Sequence, residues 1–129
     1  MGLFSSQPRP SPTPNFEEKK TLEERKAIAQ KLISDYPGMV PVILQPTERS
    51  IGSDGKQIRL CTPKDSQVSA LIGQLRSKAT EAQRNLSPFL ALRGARKSVN
   101  YSQTIGEIYE RHASDDGHLY LLYEYMVYD

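Results

Sequence analysis

The chain contains one cysteine, Cys61, among 129 residues. A single thiol excludes a disulfide framework and a cysteine zinc site. A large basic excess is also missing: 17 Lys and Arg against 15 Asp and Glu give a net charge of +2. A polybasic nucleic-acid binder is thereby excluded, and no nucleic acid is expected as a partner. No apolar run approaches the ~20 residues that span a bilayer. The N-terminus lacks the basic and apolar regions of a secretory signal. Two histidines, His112 and His118, stand without an acid–base or metal cluster at recognisable spacing. Neither a phosphate-binding loop nor a Gly-x-Gly-x-x-Gly run occurs. The expectation is a soluble, intracellular, monomeric protein, not an enzyme, with no cofactor and no metal.

The length allows one domain. Residues 1–15 hold four prolines, four Ser or Thr hydroxyls and one charge, Arg9. Pro8, Pro10, Pro12 and Pro14 fix their own φ and bias their predecessors away from helix, so this segment reads as an extended, disordered tail. It lacks the basic and apolar anchors of an SH3 ligand and is better read as a spacer. Residues 16–129 then form the domain. They suffice for one modest core and are too few for a large buried active-site cleft.

Within the domain, residues 16–35 favour helix, and Thr21 with Glu24 has capping-box spacing, so one helix ends and another begins there. Leu22, Ala29, Leu32, Ile33 and Tyr36 form a stripe near the 3.6 period, and Pro37-Gly38 stops the helix. Met39–Leu44 reads as a strand in which Pro41 implies an edge or bulge position. A loop at 45–56 with the turn Ser53-Asp54-Gly55-Lys56 precedes a second strand, Gln57–Cys61. Val68, Leu71, Ile72 and Leu75 fall at i, i+3, i+4 and i+7 of a helix opened near Asp65-Ser66. Phe89–Leu92 is a short buried strand. After a basic loop at 93–101, Thr104 and Glu107 form a second capping-box pair, opening a helix that buries Ile105, Ile108 and Tyr109. Asp115-Asp116 in the turn Ser114–Gly117 is read as ordinary turn chemistry. The last strand alternates Leu119, Leu121, Tyr123, Tyr125 and Val127 with His118, Tyr120, Leu122, Glu124 and Met126. This order predicts an α+β domain with one mixed sheet, suggesting a ubiquitin-like β-grasp.

Three stretches carry a family resemblance. Tyr36-Pro37-Gly38-Met39-Val40-Pro41-Val42-Ile43 resembles the signature Tyr-Pro-x-x-Val-Pro-Val-Ile. Thr104–His112 and Asp115–Tyr123 support it. Phe16-Glu17-Glu18 before Leu22-Glu23 is similar to the two extra N-terminal helices this family adds to a ubiquitin core. The chain thus resembles the GABARAP and light-chain-three type of autophagy modifier over residues 16–129, as a divergent member. The twelve-type modifier is the nearest rival, on Gly117-His118-Leu119 and Leu121-Leu122-Tyr123; the first signature favours the former.

The resemblance implies an adaptor that captures aromatic-x-x-aliphatic peptides on the open edge of its second strand, in autophagosome formation and cargo recruitment. Main-chain hydrogen bonds at the edge and pockets beside it would share the work. The aromatic pocket would use Ile28, Leu32, Pro41, Ile43, Arg59, Cys61 and His118. The aliphatic pocket would use Leu60, Pro63, Leu71 and Leu75, with Thr62 and Ser66 at its rim and Arg76 nearby. His118 stands where the family usually has Phe, Ile28 where it often has a polar residue, Cys61 for Leu and Ser66 for an aliphatic residue. One pocket should therefore be more polar and the other shallower. Expected partners are autophagy receptor peptides and the family's conjugation enzymes, in the cytoplasm and at the autophagosome membrane. The alternative is a membrane- or cytoskeleton-associated scaffold of the same fold without conjugation or peptide capture.

Lipid conjugation in this family needs a C-terminal glycine. Met126-Val127-Tyr128-Asp129 resembles its tail with Asp129 in the glycine's place, so the chain as given is expected not to be conjugated. This fits either a tail altered to block conjugation or a divergent member that never conjugates. At the other end, Met1-Gly2-Leu3-Phe4-Ser5-Ser6 fits the N-myristoylation pattern at Gly2. One such chain with only Arg9 as basic support would give weak, reversible membrane contact.

Overall fold

The computed structural model describes residues 16–52, 55–94 and 98–126. The proline-rich tail with Gly2, the centre of the Ser53–Lys56 turn and Val127–Asp129 lie outside the described residues. In chain order the elements are α1 (Phe16–Lys19), α2 (Leu22–Asp35), β1 (Met39–Pro46), β2 (Ile58–Pro63), α3 (Ser69–Ser77), β3 (Ser87–Leu92), α4 (Ile105–His112) and β4 (Leu119–Met126). A short 3₁₀ turn, Glu81–Gln83, occupies the polar connection before β3.

Thr21 separates the first two helices as its spacing predicts. Its hydroxyl accepts from the Glu24 amide at 3.1 Å, and the Glu24 carboxylate accepts from the Thr21 amide at 2.9 Å. Both orphan donors of the helix start are thus satisfied. Thr104 makes half of this arrangement at α4: its hydroxyl accepts from the Glu107 amide at 3.2 Å and donates to the Glu107 carboxylate at 3.0 Å.

The four strands are ordered β2-β1-β4-β3. β1 and β4 run parallel from Val42 opposite Leu119, while β2 and β3 join antiparallel on the two outer sides. Residues of one strand alternate between faces. Val40, Val42 and Leu44 of β1 and Leu119, Leu121, Tyr123 and Tyr125 of β4 pack with Leu71 and Leu75 of α3 and Ile105 and Ile108 of α4 in the main core. On the opposite face Ile43 and Tyr120 join Phe16 in a smaller cluster against which Ile28 packs. The central strands are therefore covered on both faces near α1 and α2. Burial of β1 runs unbroken from Val40 to Leu44 instead of alternating.

Two expectations are corrected here. β1 is an inner strand, although Pro41 suggested an edge or bulge. The proline is tolerated because β4 joins β1 only from Val42 onward, and Pro41 pairs solely with Cys61 of β2. Of the apolar stripe of α2, Ala29 and Leu32 turn inward, whereas Leu22, Ile33 and Tyr36 are 39%, 40% and 52% exposed. The inward face is Arg25, Ile28, Ala29 and Leu32, which is again i, i+3, i+4 and i+7. A cation takes the first inward position because a buried carboxylate faces it.

The turn before β4 is fitted closely to α2. The Gly117 amide donates to the Ser114 carbonyl at 2.9 Å, and the Gly117 carbonyl accepts from the Tyr109 hydroxyl at 2.6 Å. Gly117 has φ +84°, and a Cβ there would lie 3.0 Å from the Ala29 Cβ. A side chain would meet both a left-handed backbone and the neighbouring helix. Gly117→Ala should therefore lower stability by about 1–2 kcal/mol, read as a lower urea midpoint at unchanged slope; an unchanged midpoint would show that the turn moves away freely.

Candidate functional site

A cavity of about 410 Å³ opens between α2 and the β1–β2 edge. Ile28 and Leu32 of α2 form one wall; Pro41 and Ile43 of β1 and Arg59 and Cys61 of β2 form another, and His118 closes the end. All seven residues expected for an aromatic pocket thus line one cavity, joined by Leu60 and Val42. Among the described residues β2 pairs on one side only, with β1, so its outer backbone groups border this opening.

The remaining expected site residues are distributed differently. Leu60 is half-buried against the main core and Pro63 is exposed at the end of β2. Leu71 and Leu75 are packed into the main core beneath α3. The side chains that the resemblance assigned to a pocket wall are spent on that core. Arg76 is exposed on α3, its guanidinium 3.5 Å from the Ser87 hydroxyl. Thr62 and Ser66 are half-buried.

Arg59 is exposed on the edge strand, its guanidinium 5.1 Å from the Phe16 ring centroid, a cation–π distance. Among the described residues it has no carboxylate within ion-pair distance. Phe16 also meets the His118 ring edge-on at 5.0 Å, and its amide donates to Gln57 Oε1 at 2.8 Å. Phe16 thus braces both polar residues of the cavity. Cys61 is half-buried, and burial pushes its thiol pKa up, which keeps it a protonated thiol.

Behind His118 lies a carboxylate that turn chemistry explains only in part. Asp116 is 1% exposed. It accepts from Arg25 Nε at 2.9 Å, from the Tyr120 hydroxyl at 2.5 Å and from the His118 amide at 2.9 Å. Burial opposes ionisation, but the bonds from Tyr120, His118 and Arg25 together hold the carboxyl below its usual range. Tyr120 is displaced upward by burial and by donating to that carboxylate. Asp116 does make the turn bond expected of it, to the amide two residues on, but its bonds to Arg25 and Tyr120 go beyond turn chemistry. The signal lay in Arg25, a cation on the inward face of α2, but nothing local links positions 91 residues apart.

His118 itself is 2% exposed. Burial lowers its pKa, and the neighbouring Asp116 opposes this only partly. The ring is therefore neutral at neutral pH, and its titration lies below the range expected for an open imidazole. Nδ1 sits 3.3 Å from Asp116 Oδ1 but out of hydrogen-bond alignment.

The family described as "Autophagy protein Atg8 ubiquitin like" matches residues 24–127. The chain belongs to the Atg8 family. It is a ubiquitin-like autophagy protein, of a family of modifiers rather than enzymes. Autophagy-related protein 8 of Dictyostelium discoideum is 26% identical over 84% of this chain and 88% of that protein. Autophagy-related protein 8d of Arabidopsis thaliana is 29% identical over the same shares, 84% and 88%. Among solved structures, Trypanosoma brucei ATG8 superimposes with a TM-score of 0.74 at 19% identity, covering 94% of this chain and 99% of that one. Plasmodium falciparum Atg8, in complex with a P. falciparum Atg3 peptide, gives 0.72 at 20% identity, covering 88% and 100%. The fold is thus the ubiquitin-like fold of Atg8 structures, α+β as the element order predicts.

Two outcomes follow from the buried network. Asp116→Ala leaves the largely buried Arg25 guanidinium without its carboxylate and should cost about 3–5 kcal/mol in chemical unfolding; a loss under 1 kcal/mol would show the network to be incidental. The pH dependence has a fixed sign. His118 has a lowered folded pKa, so the unfolded chain takes up the proton first, and stability falls as pH drops below about 6.5. Asp116, also lowered, adds a further loss as pH falls below about 4 and on through its folded pKa. The urea midpoint should decline from pH 7 to pH 5, and His118→Phe should flatten that part of the curve. Parallel curves for the two proteins would contradict the assignment.

Proposed function

We propose that this Atg8-family protein captures short peptides along the outer edge of β2, seating an aromatic residue in the cavity between α2 and the β1–β2 edge. The observation that carries the reading is the juxtaposition of an open strand edge with an apolar cavity. An extended peptide needs both, one for main-chain hydrogen bonds and one for side-chain selection. Arg59 at the mouth, without a described acidic partner, favours ligands with acidic residues beside the aromatic one. The Plasmodium falciparum relative bound to an Atg3 peptide supports peptide capture, including capture of conjugation enzymes. The role is that of an adaptor in autophagosome formation and cargo recruitment, in the cytoplasm and at the autophagosome membrane. No described helix is long and apolar enough to cross a membrane.

The ligand's aliphatic residue falls towards Leu60 and Pro63 in this reading. Leu71 and Leu75 are already packed, so this residue gains less burial than the aromatic one.

The test is a titration with a labelled peptide carrying an acidic stretch before an aromatic-x-x-Leu core. Binding is expected, and Arg59→Glu should weaken it by about 1–2 kcal/mol, roughly tenfold, most strongly at low salt. Unchanged affinity at low salt would place the peptide elsewhere. Replacing the ligand's Leu by Ala should cost less than replacing its aromatic residue; the reverse order would show that α3 opens to form the second pocket.

A further inference from the structure

The end wall of the cavity is a neutral imidazole, and its two nitrogens have different surroundings. Nδ1 is buried and faces Asp116 Oδ1 at 3.3 Å. Asp116 is fixed as a carboxylate by Arg25, Tyr120 and the His118 amide. A lone pair on Nδ1 would point at that negative charge, whereas a proton there is attracted by it. The carboxylate therefore selects the Nδ1–H tautomer, which makes Nε2 an acceptor. Nε2 lies on the edge of the ring turned away from Asp116. The other close neighbours of the ring are Phe16, edge-on at 5.0 Å, and Tyr120 at 6.3 Å between centroids. The Tyr120 hydroxyl is committed to Asp116. Arg59, the nearby cation, lies over Phe16. His118 lines the cavity, and among the described residues only its Nδ1, not its Nε2, is a buried side-chain nitrogen without a partner.

We propose that His118 is a specificity-determining residue: Nε2 accepts a hydrogen bond from the donor of the ligand's aromatic side chain, so the cavity selects Trp or Tyr and disfavours Phe. The inference rests on the peptide-capture reading above. Filling the cavity with any aromatic ring strips water from Nε2. An indole N–H or a phenol O–H replaces the lost bond, while a phenyl ring leaves the acceptor buried and unpaired. A wall of hydrocarbon alone would rank the three by apolar area, and Phe would not lose to Tyr. The Tyr–Phe pair differs only by the hydroxyl and is the decisive comparison.

The experiment uses three peptides, identical except for Trp, Tyr or Phe at the anchor, titrated into the wild-type chain and His118→Phe. The wild type should bind the Phe peptide about tenfold more weakly than the Tyr peptide. In His118→Phe the two should agree within about twofold, through a gain by the Phe peptide and a loss by the Tyr peptide. Equal binding of all three by the wild type overturns the inference and leaves peptide capture standing. No binding of any of them overturns peptide capture itself, and this inference with it. A second readout needs no substitution: ring nitrogen chemical shifts of His118 in the wild-type protein. These should report protonated Nδ1, with an Nε2 shift that moves on adding the Tyr peptide and much less with the Phe peptide. A proton on Nε2 in the free protein would overturn the assignment even if the variant failed to fold.

Discussion

The arrangement of the site depends on one buried carboxylate. Asp116 would be costly to bury as an ion, and three donors from three places offset that cost: Arg25 of α2, Tyr120 of β4 and the His118 amide. The same Arg25 also donates to the carbonyls of Glu17 at 3.0 Å and Lys20 at 2.9 Å. The guanidinium thereby closes the C-terminal end of α1, spans the junction to α2 and meets the turn before β4. Two helices and a strand end are fixed by a single polar node. Since the cavity is walled by α2, the β1–β2 edge and His118, its width follows from that node.

Phe16 transmits the same order to the open edge. It is buried with Ile43 and Tyr120 on the face of the sheet opposite the main core. Its ring touches His118 on one side and carries the Arg59 guanidinium on another. Arg93 reinforces the region, lying 3.9 Å over the Tyr120 ring while paired with Glu17 of α1. The cation at the cavity mouth is thus held against a fixed aromatic surface, and less side-chain freedom remains to be lost when a ligand binds.

Local chemistry was legible in the sequence. The capping pairs Thr21–Glu24 and Thr104–Glu107, the α3 periodicity and the alternation along β4 each depend on neighbours within a few residues. The cavity residues came from family resemblance, since no spacing rule joins Ile28 to His118. What escaped was set by tertiary context. Leu22, Ile33 and Tyr36 have helical period, but the surface that α2 meets is partly polar, so the helix turns Arg25 inward. Pro41 could sit in an inner strand because β4 starts beyond it. Leu71 and Leu75 matched a pocket by position, yet in this chain the core beneath α3 consumes them. Asp116 looked like any turn residue, because burial by a distant arginine leaves no mark on the local pattern.

The edge strand imposes its own limit on what can bind. An unpaired edge invites any extended chain, and proteins restrain such edges with short length, charge and proline. β2 has all three: six residues, Arg59 near its start and Pro63 at its end. Proline offers no amide, so the ladder cannot be extended by a donor at that position. Six residues span ~20 Å of strand at ~3.3 Å each, enough for a four-residue aromatic-x-x-aliphatic core with a flank on either side. A longer strand would gain backbone bonds indiscriminately, and a shorter one would leave the cavity without a register. Selectivity must then come from the side chains that meet the ligand at fixed points along this short ladder. At the cavity end those are Arg59 and His118, and both are positioned by contacts that start from Asp116 and Phe16.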